Sequence, residues 1–195
     1  MIDTPTRRAV LGVGVLAAGS LLRIDGSLAQ APLLPTPACR DGDELTLRQT
    51  EGPFFKPSSP ERTDLVEVGM AGQTVELVGF VLSRACKPLT GALLDFWQAD
   101  DKGQYDNSGF RLRGHQFSDA EGRYRLRSIV PGAYVGRTRH IHVKAQPRGG
   151  RLLTTQLYFP GEPKNRSDGL FRTGLLMRTA ENPGLLAARF DFVLD

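Results

Sequence analysis

Four side chains in this sequence have the types and spacing to hold a metal ion: Tyr105, Tyr134, His140 and His142. His140 and His142 flank Ile141, and alternate residues of a β-strand share a face, so two imidazole donors would stand side by side. Tyr134 lies six residues before His140, just past the turn signal Pro131-Gly132, and Tyr105 ends the run Gly103-Gln104-Tyr105 after an expected strand. Two phenols with two imidazoles suggest ferric iron. That hard cation prefers anionic oxygen, whereas thiolates favour softer metals. A tyrosine, which normally titrates near a pKa of about 10, stays ionised at neutral pH only beside a strong charge such as the metal's. Two phenolates, two neutral imidazoles and one hydroxide balance Fe(III), leaving a neutral centre that apolar surroundings tolerate.

Each residue also has an ordinary reading. Tyr105 alone is a half-buried loop aromatic, and Tyr134 alone is a turn residue whose hydroxyl finds a local partner. A His-x-His pair by itself fits zinc or copper as well as iron, or serves as a polar strand edge. Without wider context these alternatives stay open.

The elements that must position these residues are short β segments. Thr74 to Leu82, Ala92 to Gln98, Arg123 to Ser128, Arg139 to Ala145, Leu153 to Phe159 and Ala188 to Leu194 are rich in strand-forming residues. Turn signals separate them, notably Lys87-Pro88, Asp101-Lys102-Gly103, Asp119-Ala120-Glu121-Gly122 and Pro131-Gly132. Helical periodicity is weak, so an all-β sandwich is expected. In Leu93 to Trp97, alternation sets Leu93, Asp95 and Trp97 on one face and Leu94 and Phe96 on the other, with both faces largely buried. Pro160 to Gly184 reads as a long loop with a short helical piece around Gly174 to Met177 and no distinctive chemistry.

A chain of 195 residues suits one sizeable domain. Its start reads as a leader: Arg7-Arg8 precede an apolar run from Ala9 to Leu22, and Ser27-Leu28-Ala29 offers a small-residue cleavage pattern. Paired arginines before an apolar segment resemble the twin-arginine export signal. Residues 1–29 are therefore expected to be a signal peptide, residues 30–50 a Pro-rich N-terminal arm and residues 51–195 the folded domain. The apolar run falls short of the roughly eighteen residues that a spanning helix needs, so no stable membrane anchor is expected. The mature protein should be periplasmic or secreted. In that compartment Cys39 and Cys86 favour a disulfide over free thiols, and neither has the CxxC spacing of a zinc or redox motif.

The net charge of +4 becomes +3 without the leader, whose Arg7, Arg8 and Arg23 outnumber Asp3 and Asp25 by one. Nine arginines and Lys144 lie from Arg111 to Arg151 against Asp119 and Glu121, a field that could draw small anions. Arg123, Arg125 and Arg127 alternate with Tyr124 and Leu126 as a solvated strand face would. No reading motif accompanies the dispersed charge, so nucleic acid is not an expected partner.

Longer stretches resemble the intradiol ring-cleavage dioxygenases, the family of catechol and protocatechuate dioxygenases. They are Thr50-Glu51-Gly52-Pro53-Phe54-Phe55, Gly91-Ala92 through Trp97-Gln98-Ala99-Asp100, Gly103-Gln104-Tyr105, and Arg113-Gly114 followed by Asp119. The pattern continues through Gly122-Arg123-Tyr124, Ile129-Val130-Pro131-Gly132-Ala133-Tyr134, His140-Ile141-His142, Thr155-Gln156-Leu157-Tyr158-Phe159 and Phe190-Asp191-Phe192-Val193-Leu194. Together they span about residues 50 to 195, in order.

The resemblance implies a sandwich of two mixed β-sheets with long connecting loops. It also implies Fe(III) held by Tyr105, Tyr134, His140 and His142, with Arg137 and Gln156 near the substrate. The activity would be cleavage of a catechol-type ring by O2 between its two oxygenated carbons, giving a cis,cis-muconate. Tyr134 would be the displaceable ligand and a base for the substrate's protons, while Tyr105, His140 and His142 stay bound. A catecholate dianion then replaces one phenolate and the hydroxide with no change in charge balance. Arg137 would stabilise negative charge developing on the substrate, and Gln156 would donate a hydrogen bond to it. Their plainer roles are an ion pair and a satisfied backbone. Arg139 should point to the opposite strand face, and His115 matches no ligand position.

Phe54 and Phe55 stand where relatives often carry tyrosine, which removes a hydroxyl from the pocket edge. The short arm differs from the helical N-terminal region of classical catechol dioxygenases. With all four ligands present, the chain resembles the iron-holding beta-type subunit of protocatechuate 3,4-dioxygenase, and a homo-oligomer stays open. The competing reading is a non-catalytic transthyretin-like or carbohydrate-binding sandwich, which needs neither the histidine pair nor both tyrosines.

Overall fold

The computed structural model describes Met1, Cys39, residues 44–134 and residues 136–195. The expected signal peptide, apart from Met1, and most of the Pro-rich arm lie outside the described residues. Nine strands form among those described: β1 (Thr74–Ser83), β2 (Leu93–Trp97), β3 (Arg113–Phe117), β4 (Arg123–Ile129), β5 (His140–Gln146), β6 (Leu153–Tyr158), β7 (Arg178–Asn182), β8 (Leu185–Arg189) and β9 (Phe192–Leu194). They make two sheets, ordered β4-β1-β8-β7 with β9 also on β1, and β3-β2-β5-β6. The first sheet is mixed, because β1 runs antiparallel to β4 but parallel to β8 and β9. The second is antiparallel between its strands, and its parallel pairing is confined to isolated bridges at its edges, Glu61 with His115 and Tyr158 with Leu176.

Strand alternation explains how the layers meet. Val75, Leu77, Leu126 and Ala188 of the first sheet and Leu94, Phe96, Ile141, Val143 and Leu157 of the second are all buried in one core. Excluding their apolar surface from water is the main force joining the sheets. Gly79 in β1 is needed for packing, since a Cβ there would stand 1.7 Å from the carbonyl oxygen of Phe190.

Ala188 to Leu194 is not the single strand expected. It breaks into β8 and β9, because the Asp191 carboxylate takes the Phe80 N–H (2.9 Å) in place of a ladder carbonyl. The expected loop from Pro160 to Gly184 is also more ordered than anticipated. It holds 3-10 helices at Pro163–Arg166 and Thr173–Leu175 and the whole of β7. β3 escaped the pattern as well, because Arg-Gly-His-Gln-Phe has no apolar alternation. Its Gly114 lets Arg62 and Leu65 pack closely, where a Cβ would meet both side chains at 2.8 Å.

The end of the arm lies on the body. Gln49 N–H donates to Thr154 O (2.8 Å) and Thr46 N–H to Val193 O (3.0 Å). Cys39 and Cys86 are disulfide-bonded across 47 residues, a closure that in the chain-entropy picture is worth about 4 kcal/mol. No helix among the described residues is long and apolar enough to cross a membrane.

Candidate metal centre

Directly opposed residues of antiparallel strands share a face, so the register of the second sheet places Arg113, Trp97, His142 and Gln156 in one row across its four strands. This row is on the face turned away from the sandwich core. Residues 50–60 roof it: Gly52 lies over His142, where a Cβ would stand 3.5 Å from Cε1, and Phe55 packs edge-on against Trp97 at 4.9 Å. Lys144 fixes the roof by pairing with Glu51 and by standing 4.4 Å from the centre of the Phe55 ring.

Under this roof the two imidazoles converge, as their shared strand face requires. The Nε2 atoms of His140 and His142 are 3.1 Å apart. His140 Nδ1 is 2.7 Å from the carbonyl oxygen of Thr138, a contact that assigns the proton to Nδ1 and leaves a lone pair on Nε2. The His142 ring stacks on Trp97, 4.8 Å between centroids and 8° from parallel. Burial, helped by the Arg137 charge, pushes His140 down to about 4. Burial and then His140 push His142 well below its ordinary value. Both rings are therefore neutral at neutral pH, as metal ligands must be.

The two phenols complete the cluster. Tyr134 Oη is 3.4 Å from His140 Nε2. The Tyr105 ring lies 5.9 Å from that of Tyr134 and 6.1 Å from that of His142. Its hydroxyl is buried and, among the described residues, makes no hydrogen bond of normal geometry, although Tyr134 is close enough to act on it. Burial, and then the neighbouring Tyr134, push the Tyr105 pKa well up. An unpartnered buried hydroxyl costs about 1–3 kcal/mol, a penalty that a cation binding the oxygen would remove. Two nitrogens each about 2.1 Å from one cation stand roughly 3 Å apart when they bind it at about a right angle, which suits the imidazole pair. No group of three or more His, Cys, Asp or Glu side chains among the described residues could hold a metal. What the cluster offers a cation is two imidazole nitrogens with two phenol oxygens beside them, and phenolate oxygen selects a hard cation.

Arg137 stands beside the cluster. Its Nε donates to Asp168 (3.0 Å), Nη1 lies 3.4 Å from Tyr134 Oη, and Nη2 donates to Gln156 Oε1. Gln156 Nε2 donates to Thr50 O (2.9 Å), so one of its amide hydrogens satisfies backbone, the plainer of its two expected roles. Arg139 points elsewhere and pairs with Glu162 at 3.1 Å. His115 is away from the cluster, against Ser59 O at 2.7 Å. Phe54 stacks on Tyr105 with centroids 4.3 Å apart and planes 17° from parallel.

Asp168 corrects the reading of Pro160 to Gly184 as chemically plain. Besides Arg137 it takes the N–H of Thr138 (2.9 Å), and so fixes the approach to His140. Burial alone would raise its carboxyl, but the Thr138 and Leu170 amides and Arg137 outweigh that and hold it below the usual range. The only local signal was the turn pair Asp168-Gly169. Trp97 and Arg113 were visible as parts of longer motifs, without roles of their own.

The sequence pattern of the family described as Dioxygenase matches residues 50–195. The chain is 31% identical over 185 residues to hydroxyquinol 1,2-dioxygenase of Rhodococcus opacus, covering 81% of this chain and 61% of that protein. It is 34% identical over 152 residues to the protocatechuate 3,4-dioxygenase beta chain of Burkholderia cepacia, covering 63% of this chain and 65% of that one. The chain therefore spans less than two thirds of either relative. Among solved structures, the dioxygenase domain of a dioxygenase and carbohydrate-binding protein fusion from the cellulolytic bacterium Streptomyces sp. SirexAA-E superposes with a TM-score of 0.77. The two are 58% identical, over 78% of this chain and 99% of that one. With the family pattern matching three quarters of its length, the chain belongs to the intradiol ring-cleavage dioxygenase family.

Proposed function

We propose that the protein is a non-haem Fe(III) dioxygenase that opens a catechol-type ring with O2 between the two oxygenated carbons and releases a cis,cis-muconate-type product. The observation that carries this reading is the convergence of two neutral imidazoles, with Nε2 atoms 3.1 Å apart, on two phenols, one of them buried with no hydrogen-bond partner among the described residues. Tyr105, Tyr134, His140 and His142 hold the iron. Bound there, ferric iron supplies the Lewis acid and electron acceptor that lets a closed-shell catechol react with O2.

The protein's own residues do the rest. Tyr134 is half-buried and is contacted by Arg137 Nη1 at 3.4 Å. It is the phenol that gives way, and its Oη takes a proton from the incoming catechol. Arg137, held by Asp168, keeps its charge beside that oxygen and stabilises negative charge on the substrate. Tyr105, pinned by Phe54, and the two histidines keep their places. The roof from Thr50 to Pro60 limits water over the imidazoles, which strengthens these charges.

The twin-arginine-like leader and the disulfide support a periplasmic or secreted enzyme. The Streptomyces relative's fusion to a carbohydrate-binding protein supports a catechol met outside the cell. The test is iron stoichiometry, the visible spectrum, and O2 uptake with catechol, protocatechuate and hydroxyquinol. The expected result is about one iron per chain, a red-brown phenolate charge-transfer band that changes with catechol, and O2 uptake matching product formation. Colourless, zinc-loaded protein would sink the iron assignment. A coloured protein that consumes no O2 with any catechol would sink the activity.

A further inference from the structure

Arg113 is a fully buried cation, 1% exposed, at the β3 end of the row that contains His142 and Gln156. It makes no ion pair among the described residues. Its guanidinium instead binds two main-chain oxygens: Nη1 donates to Phe54 O (2.6 Å), while Nε and Nη2 donate to Asp106 O (3.1 and 2.9 Å). Phe54 is the ring stacked on Tyr105, and Asp106 directly follows Tyr105. One side chain thus anchors both halves of the stack, although Phe54 is 59 residues away and Asp106 only seven.

Elsewhere the roof meets this loop through Lys56 Nζ, which donates to Ser108 O (2.9 Å) and Gly109 O (2.7 Å), beyond Asp106; at Phe54 and Asp106 themselves the tie is Arg113. The Asp106 carboxylate faces its own turn, taking N–H groups from Ser108 (3.0 Å), Gly109 (2.7 Å) and Arg111 (2.9 Å). It therefore orders residues 106–111 without touching the roof. Among the described residues no hydrogen bond of normal geometry aims the Tyr105 hydroxyl. Its direction rests on the Phe54 ring and on the backbone at Asp106, and Arg113 holds both. A planar fork can satisfy two carbonyls at once, whereas a lysine's single nitrogen cannot reproduce that geometry.

We propose that Arg113 is a positioning residue for the metal centre, clamping Phe54 O and Asp106 O so that the Tyr105 oxygen is aimed at the metal. This rests on the reading of Tyr105 as an iron ligand. A merely structural arginine would affect folding stability and nothing else. A positioning residue must also alter the bond between Tyr105 and iron.

The experiment compares Arg113→Lys, Phe54→Leu and the double variant with the unaltered protein, all as full chains loaded with iron. Each is also made in a Tyr134→Phe background, where the visible phenolate band belongs to Tyr105 alone. The readouts are that band, the rate of iron loss to a chelator, melting temperature, and kcat and KM. Arg113→Lys is expected to shift and broaden the Tyr105 band and to speed iron loss by about tenfold or more, the scale for residues that orient ligands. It should lower kcat more than KM changes. Phe54→Leu removes the stack but leaves the clamp and should move the same band, and the double variant should do little more than Arg113→Lys alone.

An unchanged band and chelation rate in Arg113→Lys, whatever its melting temperature, overturns the proposal, as does full additivity in the double variant. Should Arg113→Lys fail to fold, Arg113→Gln, whose single amide nitrogen cannot span both carbonyls, takes its place: a shifted Tyr105 band and faster iron loss support the clamp, and an unchanged band and rate overturn it. If the unaltered protein has no phenolate band, the reading of Tyr105 as a ligand has failed instead.

Discussion

The two sheets carry the same alternating pattern on their outer faces, but those faces meet different surroundings. On the first sheet, Arg125 pairs with Glu76 (2.9 Å) and Arg127 with Asp64 (2.9 Å), with the arginine side chains 64% and 38% exposed. On the second, His140, His142 and Gln156 occupy equivalent outward positions and are at most 2% exposed. The cause is the irregular segment from Thr50 to Pro60, tied down by Thr50 O on Gln156, Phe54 O on Arg113 and Ser59 on Asp95. Polar residues at strand period do not distinguish a solvated face from a reactive one. What covers the face does. Under cover, an ion pair such as Arg137 with Asp168 cannot be replaced by water, whereas pairs in solvent contribute little.

The largest effect separating the two faces should come from Tyr105→Phe. It removes a donor under the roof, so iron content and the visible band should fall to near zero. Turnover should drop by more than the roughly 100-fold typical of residues outside the ligand set. Tyr134→Phe should keep more iron, because the oxygen it removes is the one that gives way to substrate, while Tyr105, pinned by Phe54, and both histidines stay. Metal analysis and absorption on the two proteins check this, and the reverse order would contradict the roles assigned to the two phenols.

Next comes Asp168→Asn, which leaves a largely buried Arg137 without its carboxylate. The expected loss is about 3 kcal/mol of stability, with a 10- to 100-fold fall in kcat. The pH dependence has a definite sign. A carboxyl whose folded pKa lies below its unfolded value of about 3.9 contributes fully above that value and loses its contribution as pH falls through the folded pKa. Denaturation of both proteins should show a constant gap from pH 5 to 8 and a narrowing one below about pH 4. A gap that narrows near neutrality would assign the effect to another group.

What was legible in the sequence follows from the range of each interaction. Alternating strands such as β1, β4, β5 and β6 announce themselves within a few residues, and so do two histidines at strand period. The phenols are recognisable by donor chemistry. The supports are not, since Arg137 finds Asp168 across 31 residues, Arg113 finds Phe54 across 59 and Gln156 finds Thr50 across 106. β3 and β7 are edge strands with polar sequences, and nothing in Arg-Gly-His-Gln-Phe or Arg-Thr-Ala-Glu-Asn separates them from loops. The break between β8 and β9 depends on a carboxylate replacing a ladder carbonyl, which no local pattern encodes.

A smaller effect should follow from Gly52→Ala in the roof. Gly52 has φ of +69° and its Cβ would meet His142 at an ordinary 3.5 Å, so backbone strain and not collision sets the cost. About 1 kcal/mol is expected. Gly52→Asn, which tolerates that conformation better, should recover part of it in denaturant titrations. Equal losses for both would indicate crowding of the imidazole instead.

The smallest effect belongs to the other outer face. Arg125→Ala removes an ion pair that water replaces at once, because the arginine is mostly exposed and its Glu76 partner 32% exposed. Stability should change by no more than about 0.5 kcal/mol, and less at high salt. Iron content, the visible band and kcat should not change at all. If this variant altered any of the three, the solvated face would be coupled to the metal centre through the shared core, and cover alone could not explain why one face is reactive and the other is not.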